Sequence, residues 1–148
     1  DKGQSVLLRD RHWGPYKGFL ENNSLSYETW PLLPPNGSDL HPFFAKEEFE
    51  SKLAELCEKQ NKVMVWLNDP AHNPTGLSMS PNGRSVCLET FVDSALSNPD
   101  VGHTLLIDSA YSLYANETHA WGDTIVESLE NGLMSAFKHS ALASVVFE

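Results

Sequence analysis

Two apolar segments, each followed at once by polar and turn-forming residues, most constrain the fold of this chain. Residues 63–67 (Val-Met-Val-Trp-Leu) lead into a polar loop over residues 68–76, and residues 104–107 lead into Asp-Ser-Ala-Tyr at residues 108–111. In α/β proteins, ligands bind outside the carboxyl ends of the strands, where such loops lie. We therefore expect the two strand ends to deliver polar side chains to one crevice.

The same alternation of strand and helix patterns extends along the chain. Strands are predicted at residues 6–8, 63–67, 104–107 and 141–147, an extended segment at 25–33, and helices at 16–22, at 44–59, after Ser80-Pro81 and around 125–129. Such alternation favours a mostly parallel sheet with helices on both faces. The predicted fold class is α/β, a three-layer α/β/α arrangement, with residues 1–148 as a single unit.

Composition and charge exclude several classes of function. The chain has 148 residues and a formal net charge of -10, with no cluster of Lys and Arg, so we expect one domain and no nucleic-acid surface. No apolar run is long enough to span a bilayer and residues 1–5 do not resemble a secretion signal, so we expect no membrane partner and a cytoplasmic location. Cys57 and Cys87 are predicted to be buried free thiols, and the six scattered histidines indicate no metal site.

Three motifs, in this order, carry a resemblance to a known enzyme family. They are Trp13-Gly14 after the first strand, Asn-Pro-Thr-Gly at residues 73–76, and Asp-Ser-Ala-Tyr at residues 108–111. Together they resemble the central part of a class I aminotransferase of pyridoxal-phosphate fold type I, and His72 before Asn73 is closest to the aspartate and aromatic amino-acid branch. The resemblance implies pyridoxal 5'-phosphate as cofactor, an amino acid and a 2-oxo acid as substrates, and a homodimer in the parent enzyme.

The resemblance also implies cofactor-binding roles for four residues. Trp13 stacks on the pyridine face, Asn73 and Tyr111 hydrogen-bond the phenolic oxygen, and the Asn73–Pro74 peptide is cis. Asp108 contacts the ring nitrogen, where a carboxylate keeps the nitrogen protonated so that the ring can accept electron density. Each residue also has a structural interpretation: aromatic packing for Trp13 and Tyr111, a turn for Asn73, and a cap for Asp108.

Other parts of the family pattern have no counterpart in this sequence. The cofactor's covalent lysine is not identified: Lys138 precedes the candidate strand at residues 141–147 and is predicted to be a surface lysine, so no catalytic residue is assigned. A Gly/Ser-rich phosphate-binding turn, the arginine that follows the family's lysine and the arginine for the substrate carboxylate are also missing. Arg84 occupies the place of neither family arginine. We therefore expect a fragment from the middle of a transaminase large domain, inactive on its own.

Two alternatives stay open at this point. Pyridoxal-phosphate-dependent lyases and cyclopropane-forming synthases use the same cofactor cradle, and the residues around the substrate would distinguish them. A non-catalytic, aminotransferase-like module could keep the cradle for binding or regulation.

Overall fold

The computed structural model describes residues 2–38, 40–115 and 120–128 in full, and residues 143–147 as a strand. The strands are β1 (Ser5–Arg9), β2 (Ser26–Trp30), β3 (Lys62–Asn68), β4 (Gly102–Asp108) and β5 (Ala143–Phe147). The helices are α1 (Pro15–Asn22), α2 (Lys46–Lys59), α3 (Pro81–Ser97) and α4 (Trp121–Ser128), with a 3₁₀ turn at Ser112–Tyr114. The predicted alternation of strands and helices is confirmed.

The five strands form one parallel sheet in the order β2-β1-β3-β4-β5. From β1 the chain adds β2 at one side of the sheet, and it then adds β3, β4 and β5 in turn at the other side. The direction of strand addition therefore reverses between β1 and β3. Open α/β sheets bind ligands at the carboxyl ends of the strands at such a reversal. Asn68 and Asp108 are opposite each other in the β3–β4 register, so both strands end at the same level.

Each face of the sheet packs against helices, because successive apolar side chains of the buried strands point to opposite faces. On one face, β1, β3 and β4 pack against α2, α3 and α4, with a core that includes Leu7, Phe49, Leu53, Val65, Leu67, Phe91, Ile107 and Trp121. On the other face, Val6 and Leu8 pack against Tyr16 and Leu20 of α1. The three-layer α/β/α prediction is confirmed.

Local signals account for where several elements begin and end. The helix α3 begins as predicted, with Pro81 in its first turn and the Ser80 hydroxyl accepting a hydrogen bond from the Gly83 amide at 3.0 Å. The helix α2 begins at Lys46, two residues later than expected, because Phe44 and Ala45 are buried in the core ahead of it. The helix α4 is described to Ser128; its predicted end and Lys138 lie outside the described residues.

Both cysteines are free thiols, as predicted. The predicted burial is confirmed for Cys87, whereas Cys57 is only half-buried. Within the described part of the chain, no helix is both long enough and apolar enough to cross a membrane.

Candidate functional site

A cleft of about 100 Å³ lies at the carboxyl edge of the sheet. We call it the strand-end cleft, and its lining consists of Trp13, Tyr16, Asn68, Asn73, Asp108, Ala110 and Tyr111. These residues come from three chain segments: the turn and helix after β1, the end and following loop of β3, and the end and following turn of β4. The structure therefore brings together the four residues that the sequence singled out, Trp13, Asn73, Asp108 and Tyr111.

Asp108 ends β4, and its carboxylate is held from two directions. Its Oδ1 accepts a hydrogen bond from the Ala110 amide at 3.1 Å, and its Oδ2 accepts one from the Tyr16 hydroxyl. Burial, together with the neighbouring Asp108 carboxylate, raises the pKa of Tyr16 well above its usual value. The phenol is therefore protonated at neutral pH and remains a donor that orients Asp108.

Asn73, in the loop after β3, and Tyr111, in the turn after β4, contact each other in the cleft. The Asn73 Nδ2 atom donates a hydrogen bond to the Tyr111 hydroxyl at 3.3 Å. Tyr111 is 38% exposed, so its hydroxyl is accessible from the cleft mouth. The Asn73–Pro74 peptide is cis, as predicted, and Gly76 has a φ of 71°, which glycine tolerates because it has no Cβ.

Asn68 connects the two strand ends and was not identified from the sequence. Its Oδ1 accepts a hydrogen bond from the Asn73 amide at 2.6 Å, and its Nδ2 donates to the Asp108 carbonyl at 2.9 Å. The side chain is buried, so both bonds are shielded from water. The available signal was its position as the last residue of an apolar strand.

Asp69 anchors the loop between β3 and α3 from inside the core. Its Oδ1 accepts a hydrogen bond from the Met79 amide at 2.8 Å, which closes the loop on itself. Its Oδ2 accepts from Arg84 Nε at 2.7 Å and from Trp121 Nε1 at 2.8 Å. Asp69 and Arg84 are fully buried. The Asp69 carboxylate therefore attaches the loop that contains Asn73 to α3 and to α4.

Trp13 stands at the mouth of the cleft as part of an aromatic group. Its indole makes an edge contact with Tyr16, with ring centroids 5.7 Å apart, and lies 6.1 Å from the Phe19 ring. Tyr16 in turn stacks on Trp66 of β3 at 4.1 Å. Trp13 remains 41% exposed, so much of its ring surface is free to contact a ligand.

The two histidines nearest the motifs have structural partners, which the sequence did not reveal. His72 is buried, its Nδ1 lies 2.9 Å from the Thr75 hydroxyl, and burial, aided by the positive charge of Arg9, lowers its pKa to about 4. His12 Nδ1 lies 3.0 Å from the Arg9 carbonyl. Neither histidine lines the cleft.

The cleft combines a carboxylate, neutral hydrogen-bonding groups and aromatic rings. A carboxylate lies at one position, two neutral hydrogen-bonding groups converge at another, and aromatic rings form the sides. This set is complementary to a flat heteroaromatic ring that carries a basic ring nitrogen and a negatively charged oxygen.

Solved structures with the same fold are aminotransferases and related enzymes. An aminotransferase from Anaerococcus prevotii superposes with a TM-score of 0.75 at 23% identity, over 99% of this chain and 32% of that one. An aromatic amino acid aminotransferase from Psychrobacter sp. B6 gives 0.57 at 15% identity, over 97% of this chain and 31% of that one. A C-S lyase from Staphylococcus hominis, solved with pyridoxal phosphate bound, superposes with a TM-score of 0.58 at 17% identity, over 86% of this chain and 29% of that one.

These similarities show that the chain has the α/β fold of class I aminotransferases, fold type I, and that it spans about a third of the length of those proteins. No protein-family model and no curated protein matches the sequence.

Proposed function

We propose that this chain is the cofactor-contacting part of a pyridoxal-phosphate-dependent aminotransferase, an enzyme that moves an amino group between an amino acid and a 2-oxo acid. One observation carries the proposal: Trp13, Asn73, Asp108 and Tyr111 line a single cleft at the carboxyl edge of a sheet with the aminotransferase fold. In this proposal residues 1–148 are one unit, the central part of a cofactor-binding large domain.

The residues of the cleft fit the pyridine ring of pyridoxal phosphate, which when bound supplies a sink for the electrons released at the substrate's α-carbon. Asp108 would hold a proton at the ring nitrogen, because a carboxylate favours the charged form of a basic partner. Tyr16 keeps that carboxylate in place by donating to its Oδ2.

At the other side of the ring, Asn73 and Tyr111 interact with the phenolic oxygen. The Asn73 Nδ2 atom and the Tyr111 hydroxyl are 3.3 Å apart, so one acceptor atom that faces both from the cleft can accept a hydrogen bond from each. Trp13 would cover one face of the ring and shield it from water. The net charge of -10 supports small-molecule substrates rather than nucleic acid. A homodimer is part of the proposal by resemblance alone, and a cytoplasmic location is proposed with it.

A pyridoxal-phosphate-dependent lyase is the second candidate, because a C-S lyase shares the fold with a TM-score of 0.58. The cleft residues that we assign contact the cofactor and not the substrate. The same set can therefore serve either reaction, and groups that contact the substrate side chain decide between them.

Binding of pyridoxamine phosphate to the 148-residue chain tests the proposal, since this form of the cofactor needs no covalent lysine. In ¹⁵N NMR titrations we expect shifts of the backbone amides around Asn73, Asp108 and Tyr111. Asp108→Asn should weaken binding at least about tenfold, since hydrogen bonds to charged groups contribute roughly 1.5–3 kcal/mol.

Asp100→Asn is the matched control, because Asp100 is exposed just before β4, at the opposite edge of the sheet, and should leave binding unchanged. Because the phosphate-binding turn is missing, we expect weak binding. If amides away from the cleft shift instead of those around it, or if Asp108→Asn binds as tightly as the unaltered chain, the proposal is wrong.

A further inference from the structure

We propose that Tyr16 is a positioning residue of the strand-end cleft, and that its hydroxyl, acting through Asp108, determines how firmly the ring nitrogen of a bound cofactor keeps its proton. The inference rests on the proposed function, because it requires a basic ring nitrogen beside Asp108. It goes beyond that function by giving control over the cofactor's protonation to a residue outside the charge pair. Tyr16 belongs to α1, and 92 positions separate it from Asp108 at the end of β4.

Two donors on different oxygens fix the plane of the Asp108 carboxylate. The Ala110 amide donates to Oδ1 at 3.1 Å, and the Tyr16 hydroxyl donates to Oδ2. The torsion between Cβ and Cγ of an aspartate has broad minima, so a single donor leaves the carboxylate free to turn. The direction of the lone pairs that face the cleft therefore depends on the Tyr16 hydroxyl.

The packing of Tyr16 makes its hydroxyl a rigid support. The residue is only 2% exposed, its ring stacks on Trp66 of β3 with the centroids 4.1 Å apart, and Trp13 contacts its edge. Pro15 precedes it in the first turn of α1, where the fixed φ of proline suits a helix start. The Tyr16 side chain is therefore ordered before any ligand enters, and the hydroxyl has little freedom to leave Asp108.

The phenol is a neutral donor over the pH range in which a pyridine nitrogen titrates. Burial, then the hydrogen bond and the charge of Asp108, and then Tyr111, raise the pKa of Tyr16 well above its usual value. Among the described residues, Asp108 and Tyr111 are the titratable groups that face the phenol, whereas Trp66 and Trp13, which contact its ring, do not titrate. The support itself therefore adds no pH dependence to the site.

Tyr16 affects the ring nitrogen in two ways that have opposite signs. By orienting Asp108, it aligns a carboxylate oxygen with the ring N–H, which strengthens the hold on the proton because hydrogen bonds weaken steeply as their angle narrows. By donating to Oδ2, it also withdraws some negative charge from the carboxylate, which weakens the hold. A carboxylate has about four lone-pair sites, and Ala110 and Tyr16 engage only two of them, so most of the charge stays available. We therefore expect orientation to dominate.

Tyr16→Phe tests the proposal, because it removes the hydroxyl and keeps the ring that stacks on Trp66. The full chain is saturated with pyridoxamine phosphate labelled with ¹⁵N at the ring nitrogen, and the pKa of the bound ring nitrogen is measured from its chemical shift as a function of pH. In Tyr16→Phe we expect this pKa to be at least about one unit lower than in the unaltered chain, a tenfold weaker hold on the proton. Tyr27→Phe is the matched control, because Tyr27 lies in β2, outside the lining of the cleft, and should leave the value unchanged.

A second measurement needs no ligand. In ¹³C NMR of the unaltered chain, the Tyr16 ring carbon that carries the hydroxyl should show no ionisation up to about pH 11. In Asp108→Asn it should ionise at a lower pH, because the neighbouring negative charge is gone.

The outcomes separate this inference from the proposed function. If the ring-nitrogen pKa in Tyr16→Phe equals or exceeds that of the unaltered chain, or if Tyr16 ionises at the same pH with and without the Asp108 charge, Tyr16 only packs in the cleft and the inference is wrong, while the proposed function stands. If the unaltered chain binds no pyridoxamine phosphate at the cleft, the proposed function fails and this inference fails with it.

Discussion

Asn68 sets the separation between the two sides of the strand-end cleft. Its amide group is the direct link between the backbone amide of Asn73 and the backbone carbonyl of Asp108. Asparagine suits this position because one side chain supplies both an acceptor and a donor. A residue that contacts no ligand can therefore control the geometry of two residues that we assign to ligand binding.

Replacing Asn68 with alanine should lower the free energy of unfolding by about 1–3 kcal/mol, because the Asn73 amide loses its acceptor and the Asp108 carbonyl keeps only the Asp69 amide as a donor. Asn23→Ala is the control: its Nδ2 donates to the Phe19 carbonyl at 2.8 Å, but the residue is exposed, and the change should stay within about 0.5 kcal/mol. Urea unfolding measures both. Equal losses in the two variants would show that Asn68 does not have this role.

His72 should make the stability of the fold depend on pH. Its pKa is about 4 in the folded chain, below the ordinary 6.5, so protons bind preferentially to the unfolded chain. The contribution is complete above about pH 6.5 and is lost as the pH falls from there to about 4, by up to roughly 3 kcal/mol. Urea unfolding from pH 7 to pH 4 should show this loss, and His72→Gln should reduce it. A His72 ring that titrates near 6.5 by NMR would contradict this assignment.

At the scale of elements, Asp69 joins β3, α3 and α4 through one carboxylate. A buried carboxylate is costly unless it is paired and hydrogen-bonded, and Asp69 has Arg84, Trp121 and the Met79 amide around it. The loop that carries Asn73 starts and ends at this anchor. Its shape is therefore determined by the packing of two helices as well as by its own turns.

Arg84→Met should destabilise the chain by about 3–5 kcal/mol, because it leaves the Asp69 charge buried without its cationic partner. Lys17→Met is the control: its pair with Glu21 is 3.8 Å long and exposed, so the change should stay within about 0.5 kcal/mol. Thermal and urea unfolding give both values. An Asp69→Asn/Arg84→Met double variant should recover part of the loss, and a double variant no more stable than Arg84→Met would contradict this explanation.

At the scale of the whole molecule, the sequence predicted the layers, the parallel sheet and the strand-end residues, because each depends on local patterns. Apolar runs gave β3 and β4, and the Ser80-Pro81 signal gave the start of α3. The sequence did not predict the roles of Asn68, Asp69 and Tyr16, because their partners lie far away along the chain. The hydrogen bond between Cys57 and His103 was missed for the same reason, since 46 positions separate the two residues.

The domain assignment leads to a prediction about unfolding. Helices α2, α3 and α4 share one core with β1, β3 and β4. Asp69 attaches the loop between β3 and α3 to this core through its hydrogen bonds to α3 and α4. We therefore expect residues 1–148 to unfold as one cooperative unit, with coincident transitions by tryptophan fluorescence and circular dichroism. Two separate transitions would show that the chain contains two independent parts.

The central claim, that Asp108 holds a protonated pyridine nitrogen, is tested most directly by ¹⁵N NMR of pyridoxamine phosphate labelled at the ring nitrogen. The chain is saturated with the ligand at a pH where the free ligand's ring nitrogen has lost its proton. We predict the chemical shift of a protonated ring nitrogen in the unaltered chain and in Asp100→Asn, and that of an unprotonated nitrogen in Asp108→Asn. An unprotonated nitrogen in the unaltered chain, or a protonated one in Asp108→Asn, would contradict the account.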